Sequence, residues 1–183
     1  MKRIDKVNIF ALDWTKHKKD IYNLNTPIIE VDGSVNRNPG HFGIVGIYDT
    51  KQQSIIAYKY RGQKLTNQLM ELLAIYHGLE HHITSYKTSD ICIISDSLTT
   101  INSLAGIYNT KNPKLVYFKN RIEEMLSNTF GAVNVYLVHR RGHTKEDHVG
   151  RYISYLVKFY NKTQIEPQIP IGSLQSTIDQ FKW

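Results

Sequence analysis

The chain has one cysteine in 183 residues. Cys92 therefore has no internal disulfide partner, and its place in the apolar run ICIIS predicts a plain buried thiol in a reducing interior. No apolar run approaches the roughly 20 residues that span a bilayer, so no membrane association is expected. The first residues, MKRIDKVNIF, lack the apolar core of a secretory signal. These absences predict a cytoplasmic protein, or a viral one acting inside its host cell. No internal repeat is present. Acid is in short supply too: 16 Asp and Glu stand against 23 Lys and Arg, a formal net charge of +7. Such an excess suits a polyanionic partner, usually nucleic acid, but many basic proteins bind none.

What is present is globular composition, 41% hydrophobic and 21% charged, at a length that fits one ordinary domain. Residues 1–26 are basic, carry Trp14 and the cluster KHKK at 16–19, and show no strong period; they read as an N-terminal extension. From residue 27 the pattern sharpens. PIIEVDGS, HFGIVGIYD and SIIAYKYRG read as three β-strands in an antiparallel meander. In TNQLMELLAIYHGLEHHI, Leu69, Leu72, Leu73, Tyr76, Leu79 and Ile83 recur at helical spacing, with Thr66 as N-cap. ICIIS suits a buried parallel strand. Helices over DSLTTINSLAGI and KLVYFKNRIEEMLSNT follow, then the strand AVNVYLVH and a last helix over about 147–161. The domain is expected over 27–163, with a tail at 164–183. Strands alternating with helices imply an α/β fold with a partly parallel sheet, whose sites form at the carboxyl ends of strands.

Three acids interrupt segments that otherwise favour burial. Asp32 lies in the first of these strands, Glu71 among Leu69, Leu72 and Leu73, and Asp96 directly after ICIIS. Each alone reads as a helix cap or as an acid paired with a basic neighbour. Together they suit a hard divalent cation, because buried carboxylates require an offsetting charge or hydrogen bonds and Mg²⁺ or Mn²⁺ prefers oxygen ligands.

The run VDGSVNRNPGHFGIVG resembles the first hairpin of the type 1 ribonuclease H family. TNQLMELLAIYHGLE resembles that family's Glu-bearing helix, ISDSLTTINSL its Asp-bearing strand end, and HRRGHTKEDHV its His loop and final helix. The resemblance implies a five-stranded mixed sheet, its first three strands antiparallel, with helices on both faces. It implies an endonuclease that cuts the RNA strand of an RNA–DNA hybrid and leaves 5′-phosphate ends. Asp32, Glu71 and Asp96 would then hold two Mg²⁺ or Mn²⁺ ions, which activate water and stabilise the leaving oxygen.

The fourth acid departs from the family pattern. His143 matches the family's histidine, but ten residues later stands Ile153, which cannot bind metal. A shortened loop would make Asp147 the fourth ligand and His143 less mobile. The rival alignment places Arg151 or Tyr152 there and leaves Asp147 a helix cap. His81 and His82 have no ligand spacing with any acid and are expected at surface or partly buried positions.

By the same resemblance Asn38, Thr66, Asn67, Gln68 and Ser97 would meet the substrate backbone and the 2′-hydroxyls that distinguish RNA. The bland alternative is turn chemistry for Asn38 and capping for Thr66 and Ser97. Lys111, Lys114 and Lys119 give a modest basic patch, and the N-terminal KHKK cluster is either a substrate-binding appendage or a solvated end. At the C-terminus QSTIDQFKW places Gln175, Ile178 and Phe181 in the spacing of a sliding-clamp-binding peptide, with Lys182 where an aromatic is usual and Trp183 one place late. A clamp partner would connect the enzyme to primer removal in DNA replication; the alternative is an end that packs on its own domain. Competing with the ribonuclease reading are a DNA nuclease or resolvase on the same fold, and a nucleic-acid-binding module with impaired catalysis.

Overall fold

A computed structural model describes residues 6–88, 90–129 and 132–181. The strands are β1 (Lys6–Asp13), β2 (Ile28–Val35), β3 (Gly40–Asp49), β4 (Ser54–Leu65), β5 (Asp90–Ser95) and β6 (Ala132–His139). The helices are α1 (Trp14–Asn23), α2 (Asn67–Ser85), α3 (Leu98–Leu104), α4 (Pro113–Ser127), α5 (His148–Thr163) and α6 (Gln175–Gln180). All six strands form one sheet in the order β1-β6-β5-β2-β3-β4. β2, β3 and β4 pair antiparallel, while β1, β6, β5 and β2 run parallel.

The expected α/β class and antiparallel meander are present, but the strand count is corrected from five to six. Residues expected to form an appended extension supply β1, which pairs with β6 from Lys6↔Ala132 to Asp13↔His139. Val7, Ile9 and Ala11 pack on the main core. Between them, Asn8 Nδ2 donates to Asn134 Oδ1 (3.0 Å) and Phe10 stacks on Tyr136. Those neighbours on β6 explain why a polar and an exposed aromatic residue alternate with the apolar ones.

Strand alternation sorts the helices by face. Ile29 and Val31 of β2, Ile91 and Ile93 of β5 and Val133, Val135 and Leu137 of β6 face α2 and α4. On the other face, Phe42, Ile44 and Ala57 pack against Val149, Ile153 and Leu156 of α5, and Ile28, Cys92, Ile94 and Val138 pack against Trp14 and Ile21 of α1. Cys92 is the buried thiol expected from its setting. The helix ends follow from their caps. Thr66, Ser97, Asn112, Asp13 and Asp147 each accept a first-turn N–H.

The tail folds back on this domain. Lys59 N donates to Pro170 O and Gly172 N to Lys59 O, both at 2.9 Å, so residues 170–172 lie along the free side of β4. Gln175 then bonds both backbone groups of Arg61, at 2.7 and 2.6 Å. Ile178 is fully buried in the main core, and Phe181 packs edge-on to Tyr117 and beside Phe118. The three anchors of the clamp-type spacing are thus engaged by this chain itself, Gln175 by the edge of β4 and Ile178 and Phe181 by the core; Lys182 and Trp183 lie outside the described residues. Among the described residues no helix is long and apolar enough to cross a membrane.

Candidate active site

Asp32 stands on β2, on the face opposite Ile29 and Val31 and therefore on the α5 side of the sheet. Glu71 comes from the second turn of α2, on the other side. Gly33 allows them to meet at the carboxyl edge of the sheet. A Cβ on Gly33 would lie 2.2 Å from the Met70 carbonyl oxygen and 2.8 Å from Glu71 N, so no larger residue lets the helix approach this strand so closely. Asp96 follows the last residue of β5. Asp32, Glu71 and Asp96 line one cleft of about 290 Å³, together with Asn67, His143 and Lys158. Asp147 joins Asp32 and Asp96 around a smaller hollow that also touches Glu30 and Arg140.

The carboxylates sense one another. Burial pushes the Asp32 pKa well above the usual carboxylate range, and the charges of Asp96, Asp147 and Glu71 push the same way. Burial raises Glu71 to about 7; a hydrogen bond from Ser97 Oγ (2.8 Å) opposes this, and Asp96 adds to it. Burial and then the Asp147 charge raise Asp96. One Asp96 oxygen, Oδ1, is buried with no hydrogen-bond partner among the described residues.

Asp147 serves as a cap as well as an acid. Its Oδ1 accepts from Gly150 N and its Oδ2 from His143 N, both at 2.9 Å. The second bond closes the loop on itself and holds His143 in a left-handed backbone conformation, φ 59°. Its ring is exposed and lines the cleft. At the rival positions, Arg151 is exposed and Tyr152 packs on the α5 cluster, while Ile153 is fully buried in it.

The donor set fits a hard divalent cation by chemistry: carboxylate oxygens only, mutually repelling, with Asp96 Oδ1 unpartnered. The arrangement does not by itself complete a site. Among the described residues no group of three or more His, Cys, Asp or Glu side chains is disposed to hold a metal ion. Asp147 spends both oxygens on backbone donors, and Glu71 Oε2 accepts from Ser97.

The expected substrate residues divide. Asn67 lines the cleft, and its Oδ1 accepts from Val35 N while its own N–H donates to Asn38 Oδ1, linking the β2–β3 turn to α2. Thr66 caps α2. Ser97 is buried against Glu71 and Thr100, so it positions the acid and caps α3. Gln68 lies outside the cleft, at a small hollow shared with Lys119.

Two features escaped the sequence reading. Glu30, two residues before Asp32 on the same face, is buried and bonded to Arg140 Nη1 (3.1 Å), with His148 Nδ1 at 3.3 Å. Trp14 Nε1 donates to Glu146 Oε2 (3.0 Å), Lys18 Nζ lies 3.3 Å from Glu146 Oε1, and the Arg140 guanidinium sits over the Trp14 ring. The alternation of IIEVD was the available signal for Glu30; nothing in the sequence couples Trp14 to residue 146. His81 and His82 of α2 also have partners that spacing could not show. His81 Nε2 is 2.8 Å from Asp49 Oδ2 on β3, and His82, expected at a surface or partly buried position, is fully buried beside Thr88, where burial pushes its pKa down to about 4.

A mixed sheet with acids from a strand, a helix, a strand end and a helix cap converging at its carboxyl edge defines an α/β domain built around an acidic cleft. The RNase H family model matches residues 25–150, and the chain belongs to that family. Among solved structures, RNase H1 from the halophilic archaeon Halobacterium salinarum NRC-1 is 23% identical with a TM-score of 0.56, over 70% of this chain and 94% of that one. LC11-RNase H1, solved in complex with an RNA/DNA hybrid, is 19% identical with a TM-score of 0.60, over 73% and 98%. The N-terminal RNase H domain of rv2228c from Mycobacterium tuberculosis is 19% identical with a TM-score of 0.53, over 75% and 94%. At such identities the likeness shows the fold. No curated protein matches the chain.

Proposed function

We propose that this chain is an endonuclease that hydrolyses the RNA strand of RNA–DNA hybrids. The observation that carries the reading is the convergence of Asp32, Glu71 and Asp96 on one cleft, with Asp147 beside it, in a member of the RNase H family. A relative with the same fold was solved on an RNA/DNA hybrid, which supports the substrate. The same hybrid chemistry arises where RNA primers are removed from new DNA, and that is the setting proposed for it.

Asp32, Glu71, Asp96 and, after a change of hydrogen-bond partners, Asp147 would hold Mg²⁺ or Mn²⁺, two ions in the family's manner, supplying an activated water and charge for the leaving 3′-oxygen. The protein's own part is orientation and field. Ser97 fixes one Glu71 oxygen, Gly33 fixes the distance between α2 and β2, and Asp147 holds the His143 backbone. The His143 ring is exposed at the cleft and would exchange a proton with a departing product only from the position that its Asp147-held backbone allows, since the short loop restricts its movement. Asn67 and Asn38 would face the minor groove, where 2′-hydroxyls separate RNA from DNA. Binding of a sliding clamp through Gln175, Ile178 and Phe181 would require the tail to leave Arg61 and Phe118; its docked state supports packing on its own domain instead.

The test is cleavage of labelled hybrid, RNA duplex and DNA duplex with Mg²⁺ or Mn²⁺. The expected result is cutting of the hybrid alone, leaving 5′-phosphates, and no cutting by Asp32→Asn. Cleavage of DNA duplex would turn the reading to a DNA nuclease, and tight hybrid binding without cleavage in either metal to a binding module.

A further inference from the structure

The N-terminal βα unit does more than widen the sheet. β1 ends beside β6, with Asp13 opposite His139, so α1 begins at the same carboxyl edge as the acids. Between α1 and the loop after β6 runs a groove of about 610 Å³, walled by Trp14 and Lys18 on one side and Arg140, Arg141, Thr144 and Lys145 on the other. Its wall is built rather than incidental, being held by the Trp14–Glu146 hydrogen bond, the Lys18–Glu146 ion pair and the Arg140–Trp14 stacking. Its two acids are already engaged: Asp13 caps α1 through Thr15, and Glu146 takes Trp14 and Lys18. Arg141 and Lys145 are exposed and, among the described residues, have no hydrogen bond or ion pair. Thr144 Oγ1, in the same wall, is buried without a partner.

The groove and the acidic cleft share one wall. A Cβ on Gly142 would lie 2.4 Å from Asp96 Oδ2, so the backbone there passes directly over the acid. His143, just after it, lines the cleft; Arg141, just before it, lines the groove.

Resting on the hybrid reading above, we propose that this groove receives the phosphodiester backbone of a nucleic-acid strand as it leaves the cleft, with Arg141 and Lys145 each neutralising a phosphate. Two cations in one groove, unpaired among the described residues, each offer a partner for a phosphate. Trp14 is buried and its face is taken by Arg140, so its ring is closed to a stacking base, and the cations of the groove meet the backbone without regard to sequence.

The experiment is fluorescence anisotropy with a labelled, unmodified RNA–DNA hybrid in chelator, which prevents cutting, titrated at several salt concentrations. Wild type, Arg141→Ala/Lys145→Ala and Arg141→Lys/Lys145→Arg are compared. Removing both cations should weaken binding and reduce the slope of log Kd against log salt by about 2, one for each phosphate no longer neutralised. The charge-retaining pair should restore the wild-type slope. An unchanged slope in the alanine pair, with wild type binding normally, overturns the groove while leaving the hybrid reading intact. Failure of the wild type to bind hybrid overturns both.

Discussion

Asp147 carries two duties that different substitutions separate. Asp147→Asn keeps an oxygen for Gly150 N and removes the charge. It turns an NH2 towards His143 N, so it should lose some stability, though less than the alanine variant, and much of its hybrid cleavage. Asp147→Ala loses the cap as well, about 1 kcal/mol, and leaves His143 N without its acceptor. Chemical denaturation beside a cleavage assay reads both. Asp32 gives the complementary case. Glu71 is raised to about 7 from 4.5, and Asp32 and Asp96 are raised in the same direction. For a group raised in the folded state, the contribution is complete below the unfolded value and is lost as pH rises through the folded one. In chelator, wild type should therefore lose stability relative to Asp32→Asn as pH climbs above the ordinary aspartate value of 3.8, with a gap of roughly a few °C in Tm. Mg²⁺ at neutral pH should narrow that gap. A constant gap across the range would mean that burial and the neighbouring acids do not raise Asp32 as placed.

The α2–β2 approach decides whether Glu71 reaches Asp32. Gly33→Ala should force the helix outward, costing about 1–3 kcal/mol and, through the displaced carboxylate, on the order of 100-fold in cleavage. Thermal melts and initial rates measure the two effects. The elements from β2 to α5 were legible because each carries a clean period or a clear stop, and Glu71 stood out as an acid breaking an apolar stripe. The β1–α1 unit was not. Asn8 and Phe10 spoil its alternation, and each is satisfied only by a partner on β6, more than a hundred residues away. The place of Asp147 was half legible for a similar reason: its role depends on a loop that its own carboxylate closes by accepting the His143 N–H, which spacing cannot show.

Across the whole molecule the tail is an integral part of the domain. Ile178→Ala should cost about 2–5 kcal/mol in urea denaturation, as expected for a fully buried isoleucine, whereas a peptide held out for a partner would show almost no change. The sequence could not distinguish these outcomes, because Gln175, Ile178 and Phe181 have a spacing that serves either use. The tail also covers the outer backbone of β4, where Lys59 gives its N–H to Pro170 and its carbonyl to Gly172. Without residues 164–183 those groups would be open to a strand from another molecule. Such a truncated chain should self-associate as its concentration rises, and light scattering would detect it; the last twenty residues thus act as the sheet's guard against aggregation.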